Sequence, residues 1–357
     1  MSFPGQSTAD VRIGFLGAGL IATYHSKSLR RAAAPVSRGL VFDTDGERMN
    51  AFAAASGHTP ATDAASVIAN SDAVYICTWT SDHLALIEQA AAAGKAIFCE
   101  KPLGLNLAEA QHATHLVGQA GITNQCGLVL RHSPTFLSLK RIIDDPRSGR
   151  LLAVQFRDDQ FIPTQGHYAS VWRSDVAKAG AGTLMEHSIH DIDMIEFLGG
   201  PIASVTARTR NTHGLDGIED LAVASYEFMP HANGSRALGT LTSVWHDVLD
   251  RPSLRRVEIF CERAWAAFDV DDWFGPADWV IDGVGSGRWE QADLVGAADT
   301  QLAAQGRSSN PDLDFIRAVQ RGTQTHPDFA TALRAHQVCD AMYQSAAAGG
   351  ALRSVNQ

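Results

Sequence analysis

Val11-Arg12-Ile13-Gly14-Phe15-Leu16-Gly17-Ala18-Gly19-Leu20-Ile21-Ala22 is the stretch that decides the fold. Ile13 to Leu16 is an apolar run that reads as a buried strand. It ends in a Gly-x-Gly-x-x-Ala turn, Gly17 to Ala22. Leu20 to Ala33 then reads as a helix. Strand, glycine turn and helix in that order give the glycine motif its meaning. The first glycine permits the tight turn, and the second lets a pyrophosphate approach the backbone. The small third residue lets helix and strand pack closely. Gly17, Gly19, Leu20 and Ile21 are therefore candidates to cradle the phosphates, which favour the amides at a helix N-terminus.

A glycine turn can also merely close a loop, so a second signal is needed. Leu40, Val41 and Phe42 read as a second strand, and Asp43 follows at its end. That acid lies about 20 residues beyond the turn, the spacing of a ribose-binding carboxylate. It would accept the ribose hydroxyls and repel a 2′-phosphate, which favours NAD over NADP. Thr44 after it brings no positive charge for such a phosphate. The competing reading is a loop-starting Asp in the turn-rich run Asp43-Thr44-Asp45-Gly46.

The 357 residues suffice for two domains, and a composition 45% hydrophobic and 19% charged can bury a substantial core. A net charge of −10 without a basic cluster argues against a nucleic-acid surface. The first ten residues are polar, are expected to fray, and lack the charged and apolar regions of a signal peptide. No apolar run approaches a membrane span. The five cysteines are scattered without a Cys-x-x-Cys pair, and several sit in strand-like runs. Buried thiols in a reducing cytoplasm are expected.

Further along, helix-like and strand-like segments alternate. Arg48 to Ala55, Asp82 to Ala93 and Leu107 to Gln119 read as helices. Ala73 to Cys77, Ala96 to Cys99 and Ile122 to Leu130 read as strands. This alternation predicts βαβ units and a parallel sheet, with ligands beyond the carboxyl ends of the strands. Polar stretches fall at such ends: Thr78 to His83, Glu100-Lys101-Pro102, and Arg131-His132. A lysine at position 101 could lie beside the nicotinamide end of a dinucleotide. The alternative is a surface ion pair of little energetic consequence.

After Arg131 the alternation stops. Thr135 to Asp144 reads as a helix and Pro146 to Gly149 as a turn. Strand-like segments follow at Leu151 to Phe156, Ala203 to Thr209, Leu221 to Phe228, Ala237 to Trp245, Arg256 to Cys261 and Ala264 to Val270. They predict an α+β domain on a mostly antiparallel sheet. Trp273 to Gly287 looks irregular. Asp312 to Arg321 and Phe329 to Ala348 read as terminal helices, the first capped at Asn310 and started by Pro311. The domains are expected at 1–130 and 131–357, with room for the terminal helices to pack back on the first.

Gly180-Ala181-Gly182-Thr183-Leu184-Met185-Glu186-His187-Ser188-Ile189-His190-Asp191-Ile192-Asp193 is the other chemical constellation. Leu184 to Leu198 reads as one helix stopped by Gly199-Gly200. Glu186, His190 and Asp193 then share a face. A carboxylate that orients an imidazole suits proton transfer near neutral pH. Metal binding is the rival reading. It is set aside because His187 and His190 stand three apart rather than four, with the Glu outside the pair. A solvated polar face fits poorly with a helix otherwise largely apolar.

These residues resemble the Gfo/Idh/MocA family, the group of glucose–fructose oxidoreductase and inositol 2-dehydrogenase. Four motifs match in order: the Gly17 to Ala22 turn, His83 after the third strand, Glu100-Lys101-Pro102, and the Glu186 to Asp193 helix behind small residues. The end Ser345-Ala346-Ala347-Ala348-Gly349 is also family-like, and the match runs from about Val11 to about Arg353. The resemblance implies a Rossmann domain followed by a domain on an open, mostly antiparallel sheet, across which members form homodimers or homotetramers. It implies that Thr78, His83, Glu100 and Lys101 border the cofactor. It implies that Lys101 orients substrate, that His190 is the general acid/base, and that Glu186 contacts substrate or tunes the histidine. Trp172 and Arg173, with Asp193, are implied as pocket residues. Inositol dehydrogenase-like members carry Asp where this chain has Glu186, and the family's usual Gly-Gly-Gly before the helix is here Gly180-Ala181-Gly182. The expected activity is NAD-dependent oxidation of a sugar, inositol or sugar acid. A dinucleotide-sensing regulator and a glycosidase-type enzyme using NAD transiently are the alternatives.

Overall fold

A computed structural model describes residues 9–165, 169–230, 235–248, 250–269 and 274–355. The chain divides into two units. Met1–Leu128 and Asn310–Leu333 form the first; Val129–Ser309 and Arg334–Gln357 form the second. Residues 310–333, from the terminal helices, thus group with the first unit. Residues 1–8, part of the leading stretch expected to fray, lie outside the described residues.

The first unit runs β1 (Val11–Leu16), α1 (Leu20–Arg31), β2 (Val36–Phe42), α2 (Gly46–Ser56), β3 (Thr59–Pro60), α3 (Ala64–Ala69), β4 (Ala73–Ile76), α4 (Thr80–Ala92), β5 (Ala96–Cys99), α5 (Leu107–Ala120) and β6 (Asn124–Cys126). The six strands form one sheet in the order β3-β2-β1-β4-β5-β6, and every neighbouring pair is parallel. β4 and β5 are buried at every position, as strands covered on both faces must be. The strand order reverses beside β1, and the glycine turn follows β1, which is where such sheets bind dinucleotides.

Aromatic rings fill this core. Tyr75 stacks between Phe15 and Phe98, with ring centroids 4.9 Å apart on each side. Phe315 meets Tyr75 and Phe98 edge-on at 5.6 and 5.7 Å. Phe315 belongs to the helix Pro311–Arg321, whose Asn310 cap accepts the Leu313 N–H at 3.0 Å. Two expectations change here. The strand anticipated at Ile122 to Leu130 is only Asn124–Cys126, because the backbone turns at once, the Leu128 N–H donating to the Cys126 carbonyl at 2.8 Å. The tight turn Val129–His132 follows. The short helix α3 was not anticipated; Asp63 caps it by accepting the Ser66 N–H at 2.7 Å.

The second unit begins with α6 (Pro134–Asp144) and β7 (Leu151–Phe161). It continues through α7 (Val176–Ala179), α8 (Ile189–Gly199), β8 (Ile202–Arg210), β9 (Leu221–Phe228), β10 (Leu238–His246), β11 (Leu254–Cys261) and β12 (Ala264–Asp269). β13 (Ala277–Ile281), β14 (Gly285–Trp289), α9 (Gln291–Ala304), the helix Phe329–Ala347 from Arg334 onward, and β15 (Arg353–Ser354) complete it. The sheet order is β14-β13-β12-β11-β7-β10-β9-β8-β15. All neighbours are antiparallel except β7 and β10, so the sheet is mixed. Burial alternates along β9, β10 and β11, leaving one face packed and one open.

The stretch Trp273 to Gly287 is not irregular where it is described, for it carries β13 and most of β14. Its glycines hide the strand pattern. Gly287 gives the Trp279 indole room, since a Cβ there would lie 3.2 Å from Nε1. Trp279 stacks on Trp289 at 5.4 Å. Val270, expected as a strand end, and Trp273 lie outside the described residues. α9 was likewise unanticipated. All five cysteines are free and buried. Among the described residues no helix is long and apolar enough to cross a membrane.

Phe315→Ala should destabilise the first unit by about 3–5 kcal/mol, the cost of emptying a buried aromatic site. Urea unfolding followed by near-ultraviolet circular dichroism checks this. Wild-type stability in the variant would mean that 310–333 is not part of that core.

Candidate active site

The glycine turn is built for close approach. Gly17 has φ +89°, and a Cβ there would stand 2.5 Å from the Cys77 carbonyl oxygen. Only glycine combines that backbone with that neighbour. Above Gly19 the space is open, with nothing within 4 Å of an added Cβ. Gly19 is the N-cap of α1, and no side chain caps the first turn. Leu20 and Ile21 are exposed, at 50% and 39%. An uncapped helix start with an open approach fits a pyrophosphate well.

Asp43 stands at the end of β2 and is tied to this turn. Its Oδ2 accepts the Ala18 N–H at 2.7 Å, and its Oδ1 accepts the Asp45 N–H at 2.8 Å. Arg48 donates to both oxygens, from Nε at 3.0 Å and Nη2 at 2.7 Å. Partial burial works against the charge, but Arg48 and the two amides hold the carboxyl below its ordinary range. Sequence reasoning found the acid and missed the arginine. The signal lay in the helix start: Asp45 caps α2 by accepting from the Glu47 and Arg48 amides, so the helix begins earlier than Arg48. Arg48 then sits in its first turn, beside the end of β2.

Glu100-Lys101-Pro102 leaves the end of β5. Lys101 is half-buried. Glu100 is buried, and its Oε1 lies 2.8 Å from Nε2 of His25, a residue of α1. His25 Nδ1 in turn lies 2.7 Å from Asp312 Oδ1. Burial opposes a charge on His25, but Asp312 and Glu100 outweigh it and lift the imidazole to about 10. Thr78 follows β4 and is half-buried. His83 is buried, and its Nδ1–H donates to the Pro102 carbonyl at 2.9 Å. The contacts shown by Glu100 and His83 are thus with the loop around Lys101 and its support. His25 carried no motif in the sequence; its only signal was a polar residue on the helix face that packs on the sheet.

In the second unit the anticipated single helix is two pieces. Thr183–His187 is a π-helical turn, Ser188 breaks it, and α8 begins at Ile189. The α-helical spacing that placed Glu186, His190 and Asp193 on one face therefore does not run through. Wide turns of this kind concentrate at functional sites. Glu219 organises this one, accepting the Gly182 and Leu184 amides at 2.8 and 2.9 Å and the Tyr343 hydroxyl at 2.8 Å. A Cβ at Gly182 would collide with the Glu219 backbone, so the small residue has a steric cause.

Each acid of the motif has its own cation. Glu186 is buried and accepts from Arg173 Nε at 2.7 Å. The Arg173 guanidinium lies over the Trp172 ring, 4.8 Å from its centroid. Trp172, Arg173 and Glu186 are thus in one place. Asp193 is held by Arg131, from Nε at 2.9 Å and Nη2 at 2.6 Å. Burial raises its pKa, and Arg131 opposes that rise. His190 is half-buried. The Asp193–Arg131 pair ties α8 to the tight turn Val129–His132.

His187 and Asp191, the neighbours of the motif residues, join Asp158 of β7. Ligand atoms of these three lie within 4.8 Å of one another, a spacing that could hold a metal ion. Arg255 of β11 already supplies the positive charge. It pairs with Asp158 and, through Nε at 3.1 Å, with Asp191. His187 Nε2 lies 3.0 Å from Asp158. Burial works against ionising Asp158, yet Arg255 and His187 hold it well below the ordinary range. Burial and then that charge lift Asp191 to about 7. Nothing in the motif had pointed to Asp158 or Arg255, which come from distant strands.

Comparison with known proteins agrees with this architecture. Residues 11–128 match the model of an oxidoreductase family with an NAD-binding Rossmann fold. Residues 136–267 match the GFO/IDH/MocA C-terminal domain. The chain belongs to the Gfo/Idh/MocA oxidoreductase family. Within it, an inositol 2-dehydrogenase of Rhizobium meliloti is 36% identical over 201 residues, 55% of this chain and 58% of that protein. A scyllo-inositol 2-dehydrogenase (NAD(+)) of Bacillus subtilis is 31% identical over 248 residues, 67% of this chain and 70% of that protein. The first of these matches thus spans little more than half of the relative's length. A levoglucosan dehydrogenase in complex with NADH and levoglucosan has the same fold, with a TM-score of 0.84 at 22% identity over 98% of this chain and 100% of that one.

Arg255→Met would leave Asp158 and Asp191 buried without their cation. It should cost about 3–5 kcal/mol of stability in the second unit, measurable by thermal or urea unfolding. An unchanged melting temperature would show that the arginine is not what balances the two acids.

Proposed function

We propose that this protein is an NAD-dependent dehydrogenase of a polyhydroxylated small molecule: a sugar, an inositol or a sugar acid. The observation that carries the reading is the open, uncapped glycine turn of α1 beside the acid of β2, in a chain of an NAD-binding oxidoreductase family. The named activities of the inositol dehydrogenases it resembles support a ring polyol. When bound, the nicotinamide supplies the acceptor for hydride from the substrate carbon.

The chain's own residues do the rest. His190 takes the proton of the reacting hydroxyl as the carbonyl forms, and returns it in the reverse reaction. Lys101 holds the reacting oxygen and steadies the charge that develops on it. Glu186, balanced by Arg173, accepts hydrogen bonds from substrate hydroxyls or keeps the imidazole oriented. Trp172 and Arg173 line the same place. Thr78 and His83 border the cofactor, His83 also holding the Lys101 loop through the Pro102 carbonyl.

Purified protein should form NADH from NAD⁺ with at least one member of a panel of inositols, aldoses and sugar acids. Lys101→Ala and His190→Ala should each lower kcat by about 10²- to 10⁴-fold while NAD binding, read by calorimetry, changes little. Wild-type turnover in both variants would reject the assignment.

We also propose that the protein self-associates through the open face of its large sheet. Val223, Leu238 and Val280 are 48%, 56% and 42% exposed there, beside half-buried Phe260 and Trp265. Apolar residues gathered on one sheet face mark an interaction surface. Light scattering should give a dimer or tetramer, and Leu238→Asp should shift it toward monomer. A monomeric wild-type protein would overturn this.

A further inference from the structure

The Glu-Lys-Pro loop has a support outside any motif. His25 of α1 is 4% exposed and sits between two carboxylates, Glu100 at 2.8 Å and Asp312 at 2.7 Å, themselves 7% and 2% exposed. A neutral imidazole has one N–H and can donate to only one acid. The imidazolium donates to both. The two acids arrive from different places: Glu100 ends β5, and Asp312 lies in the first turn of the helix Pro311–Arg321. That helix is pinned as well, since Asn310 donates to Ser28 Oγ at 2.9 Å and the Pro311 carbonyl accepts from Gln125 at 3.1 Å.

The other Glu100 oxygen, Oε2, accepts the Lys101 N–H at 3.2 Å. Space is kept clear for this carboxylate, because a Cβ at Gly127 would come 2.6 Å from Oε1. Phe98 and Tyr75 pack against the His25 ring, 4.7 and 5.5 Å away. One hydrogen-bonded path therefore runs from the helix after the glycine turn, through His25 and Glu100, to the backbone of Lys101.

We propose that His25, Glu100 and Asp312 form a buried clamp that positions Lys101, with His25 and Asp312 as positioning residues of the dehydrogenase reaction. The inference rests on the reading that Lys101 acts on substrate. The clamp needs its central proton. The groups that face His25 are Glu100 and Phe98 of β5, Asp312 and Phe315 of the last helix of the unit, and Tyr75 of β4, with Cys77 close by. Burial pushes the Tyr75 hydroxyl and the Cys77 thiol well above their ordinary values, so neither titrates below pH 9. Burial alone would strip the proton from His25; Asp312 is the largest influence that retains it.

Asp312→Asn removes that charge and keeps the shape. Its kcat should match the wild type near pH 6. It should then fall about tenfold relative to wild type between pH 7 and 9, as His25 loses its proton inside the working range and its bond to Glu100 loses its charge assistance. NAD affinity should stay within about twofold across that range, as expected if the loss is in positioning rather than uniform binding. Nitrogen-15 NMR of the histidines should show His25 doubly protonated at pH 8 in the wild type and titrating near neutrality in the variant. If Asp312→Asn does not fold, Asp312→Ser is read in the same way, since it too removes that charge. A ratio of variant to wild-type kcat that is constant from pH 6 to pH 9 overturns the clamp. Lys101→Ala run alongside separates the two ideas. If it is inactive while Asp312→Asn tracks the wild type at every pH, the clamp alone falls. If Lys101→Ala turns over normally, the role of Lys101 falls and takes the clamp with it.

Discussion

A charge taken alone into a protein interior costs several kcal/mol, and a partner with good geometry is what offsets that cost. Both units of this protein are built under that constraint. The first buries His25 between Glu100 and Asp312. The second buries Asp158 and Asp191 against Arg255, Asp193 against Arg131, and Glu186 against Arg173. All but Glu186–Arg173 join elements far apart in the chain. The polar groups of the site are therefore held by the fold, not by the loops that carry them.

The same constraint explains the division of labour between residues next to each other in sequence. Glu186 and His187 are neighbours, as are His190 and Asp191. One member of each pair belongs to the proposed chemistry, and the other joins the Arg255 cluster. A π-helical turn, held open by the Glu219 carboxylate on the Gly182 and Leu184 amides, lets the short segment serve both sides. The turn replaces the regular helix that apolar spacing suggests, and it shifts the register between Glu186 and α8.

In the first unit the parallel sheet does the positioning. Successive strands deliver the glycine turn, Asp43, Thr78 and the Lys101 loop at their carboxyl ends, where α/β sheets bind ligands. α1 then has two roles. Its uncapped N-terminus opens onto free space above Gly19, while His25, further along, faces the core. The glycine turn and the Lys101 loop are thereby linked through one helix.

The local pattern of the chain was enough for much of this. Alternating apolar segments and glycine punctuation disclosed the parallel sheet, because strand and helix periods are written in nearest-neighbour chemistry. The Gly17 to Ala22 turn and the placing of Asp43 and Lys101 after strands were legible for the same reason, whereas the π-helical turn between Glu186 and His190 was not. The β13–β14 pair was hidden because glycines that make room for Trp279 erase the alternation. What the tertiary structure alone decided are the partners: Arg48 on Asp43, His25 and Asp312 around Glu100, Arg173 on Glu186, and Asp158 with Arg255 behind the histidines. It also decided that residues 310–333 belong with the first unit. A sequence shows that a charged residue falls in an apolar run, but which counter-charge makes its burial possible is set by the fold, and for His25, Asp158, Asp191 and Asp193 it comes from a distant part of the chain. Only the folded chain brings the two together.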